Sequence, residues 1–425
     1  MRPRPDPRVK TLFQLLSLLL ASALAAAAES KAVVAPDAGS MTSSNLLRSG
    51  AATNQADAEH YFQTQLDLAS GQRHGEYPAL AAQTLIGILE TNAPAEFKRR
   101  ALFELALATQ DDNEFVKAQQ IYAQYLQRYA GDRSAPEVLL RQGLLYRQMG
   151  VNTLAISKFY AVMSTTLTLQ LDGIDYYKNL VLQAQTEIAD TYYGMGQFND
   201  SADFYTRLLK AGSLSLNTQE IEYKLIRSLS FLTNCNETIT RSQSFLAHFP
   251  DCSEVPEVRF ILASADQALG HSAEALKQVL LLLQSQQESA RRNPELWVYW
   301  QRRAGNEIAN QLYKEADYLG ALQIYQNLAA LDTAPSWQAP AWYQVGLVYE
   351  QLQQWQKATD TYDQILARRS ELTGTNAPPS LSSLCEMAQW RKDYIAWMQK
   401  ARAADQALQH SYLSKPSTAD TTTAK

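Results

Sequence analysis

The stretch PAWYQVGLVYEQLQQWQKATDTYDQIL, Pro340 to Leu366, sets Trp342, Gly346, Tyr349, Ala358 and Tyr362 at fixed intervals. Two readings compete for those intervals. Aromatics beside charged residues can line a ligand site, or the same spacing can be the inner packing of two helices folded against each other. Spacings of 3, 4 and 7 place residues on one helix face. A small residue four positions after an aromatic lets a second helix approach closely. The rest of the chain decides between them.

The pattern recurs. In VLLRQGLLYRQMGVNTLAISKFYAVM, Gly143, Tyr146, Gly150, Ala155 and Phe159 fall at the offsets of Gly346, Tyr349, Gln353, Ala358 and Tyr362. Further copies place Ala189, Tyr192, Gly196, Ser201 and Tyr205; Ala263, Gly270, Ala275 and Val279; Ala309, Leu312, Ala316, Ala321 and Tyr325; and Ala106, Ala118 and Tyr122. The small residues of the first helices therefore lie at 106, 143, 189, 263, 309 and 346, with spacings of 37, 46, 74, 46 and 37. The gap of 74 divides into two of 37 if a degenerate copy centres on Ile226.

These repeats resemble the tetratricopeptide family, whose pattern runs W-x2-L-G-x2-Y, then Ala, then an aromatic. The resemblance covers roughly Glu59 to Arg368. It implies an all-α fold, an α-solenoid wound as a right-handed superhelix, with about seven to eight helical hairpins and a C-terminal capping helix. The second helix of each hairpin is expected to set its alanine against the small residue of the first, with aromatics filling the groove alongside. An irregular first repeat lies around Tyr61–Leu68 and Leu80–Leu89, and the cap over Leu381–His410 carries Trp390 and Trp397 on one face.

The spacings also read as a tandem duplication of 120 residues, about 99–218 and 219–338. YLQRYAGDRSAPEV (from Tyr125) then lies over FLAHFPDCSEVPEV (from Phe245). The competing account is that similar packing produced similar spacings. The 46-residue units carry extra length at Ser164–Leu171 and Gln284–Asn293, expected as longer helices or protruding loops.

The chain divides into segments of different character. Residues 1–28 place Arg2, Arg4, Arg8 and Lys10 before an uncharged run ending in alanines, the order of a secretory signal peptide cleaved after Ala28 or Ala25. An uncleaved anchor helix is the alternative. A flexible arm is expected over 29–56, the solenoid over 57–370, the cap over 371–410 and a disordered tail over 411–425. After signal removal no transmembrane segment is expected. Loss of 1–28 moves the net charge from −5 to −8. An acidic chain without a basic patch excludes nucleic acid as the expected partner.

No catalytic constellation is present: G-x-S-x-G, a phosphate loop and H-E-x-x-H are all missing. His74 and Glu76 in GQRHGEYP read as a solvated turn rather than an acid–base pair. Some cell-wall-cleaving enzymes carry a helical superhelix, but they add a catalytic domain, and only 55 residues follow Ser370. Cys235, Cys252 and Cys385 match no metal pattern, and the five histidines are scattered. No metal and no cofactor is expected. A Cys235–Cys252 bridge is the one oxidised alternative, opposed by the helix expected between them.

The expected activity is binding, not catalysis. The resemblance implies that the first helices line a concave face. The outward positions expected there are Arg303, Asn306, Asn310, Tyr313 and Lys314; Tyr223, Lys224 and Arg227; and Tyr343, Leu347 and Glu350. Arg303, Asn306, Asn310 and Lys314 are arranged as a ladder for a peptide carboxylate or backbone. The bland reading of each is a solvated polar face. Trp297, Trp300 and Trp337 are left over from the repeat pattern and read either as an apolar partner surface or as burial against the long helix and cap.

The chain is therefore expected to be an exported, periplasmic scaffold binding a peptide segment or protein partner in cell-envelope assembly or maintenance. It resembles the helical lipoprotein of the barrel-assembly machine, but without a lipobox cysteine. It also resembles the periplasmic coordinator of the Tol–Pal system, but without an N-terminal coiled coil. A structural subunit of a secretion or surface complex, or an accessory factor to a cell-wall enzyme, are the alternatives.

Overall fold

The computed structural model describes residues 55–168, 174–284, 291–373 and 378–413; the expected signal peptide and nearly all of the expected arm and tail lie outside them. The chain divides into two units, Met1–Thr64 and Gln65–Lys425. In the first, the described residues open the helix α1 (Gln55–His74), where the Thr64 hydroxyl donates to the His60 carbonyl at 2.9 Å.

The second unit, from Gln65 on, is all-α among the described residues. After α1 come α2 (Pro78–Glu90), α3 (Ala95–Asp111), α4 (Phe115–Arg128), α5 (Ala135–Gln148), α6 (Asn152–Thr168), α7 (Ile174–Gly194) and α8 (Phe198–Ala211). Next are α9 (Thr218–Phe231), α10 (Cys235–His248), α11 (Val255–Ala268), α12 (Ser272–Gln284), α13 (Pro294–Lys314) and α14 (Tyr318–Ala330). The chain closes with α15 (Pro335–Gln351), α16 (Trp355–Ala367), α17 (Arg369–Leu372) and α18 (Pro379–Leu413). From α2 on, each described helix packs on its sequence neighbours, so the fold is an α-solenoid.

One turn geometry recurs at every hairpin. Residues 76, 113, 150, 196, 233, 270, 316 and 353 all have positive φ, between 55° and 79°. Seven residues before each lies the small position, at Ala69, Ala106, Gly143, Ala189, Ile226, Ala263, Ala309 and Gly346. The amide following each left-handed residue donates to a carbonyl five back, as in Val151 to Tyr146 (2.8 Å) and Asn234 to Leu229 (3.1 Å). This closure satisfies the last carbonyls of the first helix. The sequence offers glycine at only three of the eight sites; Glu76, Asn113, Thr233, Ala316 and Gln353 adopt the conformation without it. Next-helix caps help, as Asn234 and Asp317 accept from the amides three residues on.

The packing code holds with one correction. A methyl group added at Gly143 would lie 2.5 Å from the Phe159 ring, and one at Gly346 would lie 2.5 Å from the Tyr362 ring. The nearest atoms over the small residue therefore belong to the aromatic of the second helix, not to its alanine. The alanines are buried beside the contact: Ala155 and Ala358 are fully covered. In α9–α10 the sizes are exchanged, with Ile226 at the small position and Ser242 at the aromatic one, both buried. That exchange accounts for the faintness of this copy in the sequence.

Residues 169–171 and 285–290 of the two longer segments lie outside the described residues, and long helices follow them. α7 and α13 each span 21 residues. The start of α7 reaches back toward α5, where Tyr176 donates to Glu137 (2.8 Å) and Tyr177 to the Arg133 carbonyl (3.1 Å). The start of α13 does the same for α11: Trp297 (2% exposed) and Trp300 (8%) cluster with Val255, Phe260 and Leu282. Those two tryptophans are core, which overturns the surface reading for them. Trp337 is half-buried and donates from Nε1 to the Leu328 carbonyl at 2.7 Å.

Candidate peptide-binding face

The aromatic position does more than fill space. Where it is tyrosine, the hydroxyl crosses to a polar side chain on the first helix. Tyr122 donates to Gln110 (3.0 Å), Tyr205 to Asp190 (2.6 Å), Tyr325 to Asn310 (2.6 Å) and Tyr362 to Glu350 (2.6 Å). Burial, then the facing carboxylate, pushes the Tyr205 and Tyr362 phenols far above the usual tyrosine range. This clasp corrects one outward assignment, that of Glu350. Asn310 stays exposed, although its carbonyl oxygen is spent within its own hairpin. Glu350, 9% exposed, is buried between Tyr362 and Arg391 of α18, whose Nη1 lies 3.3 Å away.

The remaining expected positions separate into places. Arg303 and Arg227 line one cleft of about 500 Å³ with Phe231, Glu257, Phe260, Tyr299, Trp300 and Glu307. Helices α9, α11 and α13 build it, so the first helices of three consecutive hairpins converge on one groove. Asn306 points into a different, smaller recess with Arg302, Trp337 and Pro340, and its amide donates to the Arg302 carbonyl. Tyr313 packs edge-on against Tyr318 with centroids 5.5 Å apart. Lys314 is exposed at the end of α13. Tyr343 leans on the Tyr362 ring at 5.9 Å, and Leu347 is half-buried. The ladder read along α13 is thus divided between two grooves.

Within the cleft both guanidinium groups rest on aromatic rings. Arg303 sits 5.2 Å from the Phe260 centroid and 5.2 Å from that of Trp300, and donates to the Tyr299 hydroxyl at 3.1 Å. Glu307 is 3.9 Å from Arg303, beyond hydrogen-bond reach. Arg227 lies over Tyr193, Tyr223 and Phe231 and pairs with Glu257 at 3.2 Å. Burial alone would lower the Arg227 pKa; Glu257 and Tyr223 outweigh it and hold it above the usual value. Tyr223 donates to Glu257 at 2.6 Å. Cation–π contact fixes each guanidinium plane before any ligand arrives, so less side-chain entropy remains to be lost on binding.

A second cleft of about 510 Å³ adjoins on α7 and α9, lined by Gln183, Glu187, Asp190, Asn217, Glu220 and Lys224. Lys224 bonds Asp190 at 2.9 Å and pairs with Glu220 at 2.7 Å. Its pKa is held up, burial opposing and the two carboxylates prevailing. Burial pushes the Glu187 carboxyl up despite the nearby Arg147. The sequence reading omitted the contributors from α11, Phe260 and Glu257. They sit at the −3 and −6 positions from Ala263, as Tyr223 and Glu220 do from Ile226, so the register contained the signal.

Other sequence assignments resolve simply. His74 closes α1 and Glu76 sits in the turn after it, both exposed, with the His74 ring 2.7 Å from the Ser70 carbonyl. Cys235, Cys252 and Cys385 are free thiols. Among the described residues no group of three or more His, Cys, Asp or Glu is placed to hold a metal ion, and no helix is long and apolar enough to cross a membrane.

No family model matches the sequence, and no curated protein does. Solved structures similar to it include the C-terminal part of a TPR repeat-containing protein from Cytophaga hutchinsonii, at 14% identity over 63% of this chain and 95% of that one, TM-score 0.47. A tetratricopeptide repeat protein from Parabacteroides merdae shares 12% identity over 68% of this chain and 98% of its own, TM-score 0.38. The TPR-like repeats of a putative kinesin light chain from Podosopora anserina share 16% over 44% and 94%, TM-score 0.36.

Proposed function

We propose that this chain is an exported tetratricopeptide-type scaffold that holds an extended segment of a protein partner along its first helices, in assembly or maintenance of the cell envelope. The observation that carries the reading is the cleft where Arg227 and Arg303, each laid on aromatic rings, face one groove. Fixed guanidinium groups recognise carboxylates or backbone carbonyls, and the aromatic walls supply apolar contact. Export rests on the order of charge, apolar run and alanines in residues 1–28.

A photo-crosslinking amino acid at Tyr299, in the cleft, is expected to capture a discrete partner from an envelope fraction. The same probe at exposed Leu319, on the second helix α14, is expected to capture none. Capture at Leu319 with silence at Tyr299 overturns the assignment of the face. N-terminal sequencing of the cell-derived protein is expected to begin at Glu29; a start at Met1 in the cytosolic fraction removes the export reading.

A further inference from the structure

The last helix presents two faces. Leu381, Leu384, Cys385, Ala388 and Ile395 of α18 are buried against α15 and α16. Trp390 (60% exposed), Tyr394 (39%) and Trp397 (63%) run along the other side with Ala401, Ala404 and Leu408, all exposed. Their spacings are 4, 3, 4, 3 and 4, the heptad seam of a paired helix. At about 100° per residue this seam lies opposite the buried stripe. The rings already form one ladder: Trp390 stacks on Tyr394 at 5.5 Å and 10°, and Tyr394 meets Trp397 at 6.0 Å. From Ala396 to His410 every residue but Met398 is exposed, and Arg402 lies 5.3 Å from the Trp355 ring of α16.

We infer that this seam pairs with the same seam of a second copy of the chain, antiparallel, making the protein a two-fold dimer through α18. The sizes select the partner and its direction. The first half of the seam is bulky and the second half is small, apart from Leu408 at its end. A parallel copy would set Trp397 on Trp397 and leave Ala401 facing Ala401, one layer crowded and the next empty. An antiparallel copy centred near residue 399 sets Trp397 over Ala401, Tyr394 over Ala404 and Trp390 over Leu408, each twice. That reciprocity is what a two-fold interface requires. Asp405 of the second copy comes to the edge beside Arg391. Lys400 meets its own copy at the other edge, where both ammonium groups stay in water. The area covered is on the order of 1,000 Å² over both copies, at the low end for a specific complex, so a reversible dimer is expected.

Sedimentation velocity of the full chain, up to on the order of 100 µM, tests this. The expected result is a concentration-dependent dimer. Trp397→Ser and Ala401→Trp each weaken it at least ~10-fold without changing thermal stability. Combining Ala401→Trp with Trp397→Ala restores pairing, because the opposed sizes are only exchanged. A disulfide between Tyr394→Cys and Ala404→Cys variants, formed on mixing and not within either alone, reports the direction. A chain that stays monomeric throughout overturns the inference. So does a monomer that instead floats with lipid vesicles and loses that binding in Trp397→Ser, which assigns the stripe to a membrane surface.

Discussion

Gly346→Ala isolates the packing rule on which the repeats rest. Gly346 lies inside α15, where alanine is normally better by about 1 kcal/mol. The added methyl would sit 2.5 Å from Tyr362 Cε1, 2.7 Å from Cζ and 3.0 Å from the hydroxyl oxygen. Tyr362 has nowhere to go: it is fully buried, and its hydroxyl is held at 2.6 Å by buried Glu350. Overpacking of this kind costs about 1–3 kcal/mol, and displacing the hydroxyl forfeits roughly 1 kcal/mol more. The net expectation is a loss of about 1–3 kcal/mol. With Tyr362→Ala already present the methyl has room, and Gly346→Ala reverts to a gain of about 1 kcal/mol. Gly87→Ala, an exposed helical glycine with nothing within 4 Å, is the control and should also gain about 1 kcal/mol. Repeats unfold with their neighbours rather than as one block. The assay is therefore urea unfolding by circular dichroism, combined with hydrogen exchange over residues 335–367. Stabilisation by Gly346→Ala in both backgrounds would refute the ring-over-glycine contact.

Thr233 is β-branched at φ 55°, so Thr233→Gly should raise stability by roughly 1 kcal/mol, whereas Gly150→Ala, at φ 77°, should lower it; equal effects at the two sites would contradict the shared turn. Glu350→Ala strands the Tyr362 hydroxyl and the Arg391 guanidinium, a loss of about 3 kcal/mol expected to appear as faster exchange in residues 379–395. Asp132 accepts from the Ser134 amide (2.9 Å), the Tyr125 hydroxyl (2.8 Å) and Arg99. Burial would raise its pKa, but those donors outweigh it and hold the carboxyl below the usual range. Its stabilisation is therefore present above the unfolded-state pKa and lost as pH falls through the folded one. Asp132→Asn should flatten the acid limb of stability below about pH 4, measured by thermal unfolding against pH. Burial pushes the Cys252 thiol up to about 11, so alkylation at neutral pH should be slow in the folded chain, and three thiols should titrate after denaturation.

Periodicity made the solenoid readable because its period is set by backbone contact. Each hairpin repeats one small residue, one left-handed turn and one large residue, and selection on volume leaves a trace at fixed offsets. Burial is shared between opposed positions, however, and a shared volume can be redistributed. Ile226 and Ser242 are both buried, which keeps the interior closed while erasing both letters of the pattern. The binding face was readable only in part for the same reason. Sequence register says which positions point away from the alanine contact, but not what the neighbouring helix brings to them. Glu350 was outward by register and is drawn inward by Tyr362, while Asn310 stays exposed but has its oxygen claimed by Tyr325. Trp300, outside the repeat pattern, forms the wall on which Arg303 rests. A tyrosine at the aromatic position therefore carries information that phenylalanine does not. It claims an acceptor of the polar residue opposite, whereas Phe159 has no hydroxyl with which to do so. Arg227 stays on that face with no such hydroxyl to claim it, since α10 carries Ser242 where a clasping tyrosine would stand; in the hairpin of Arg303 the Tyr325 hydroxyl is spent on Asn310, seven residues further along α13.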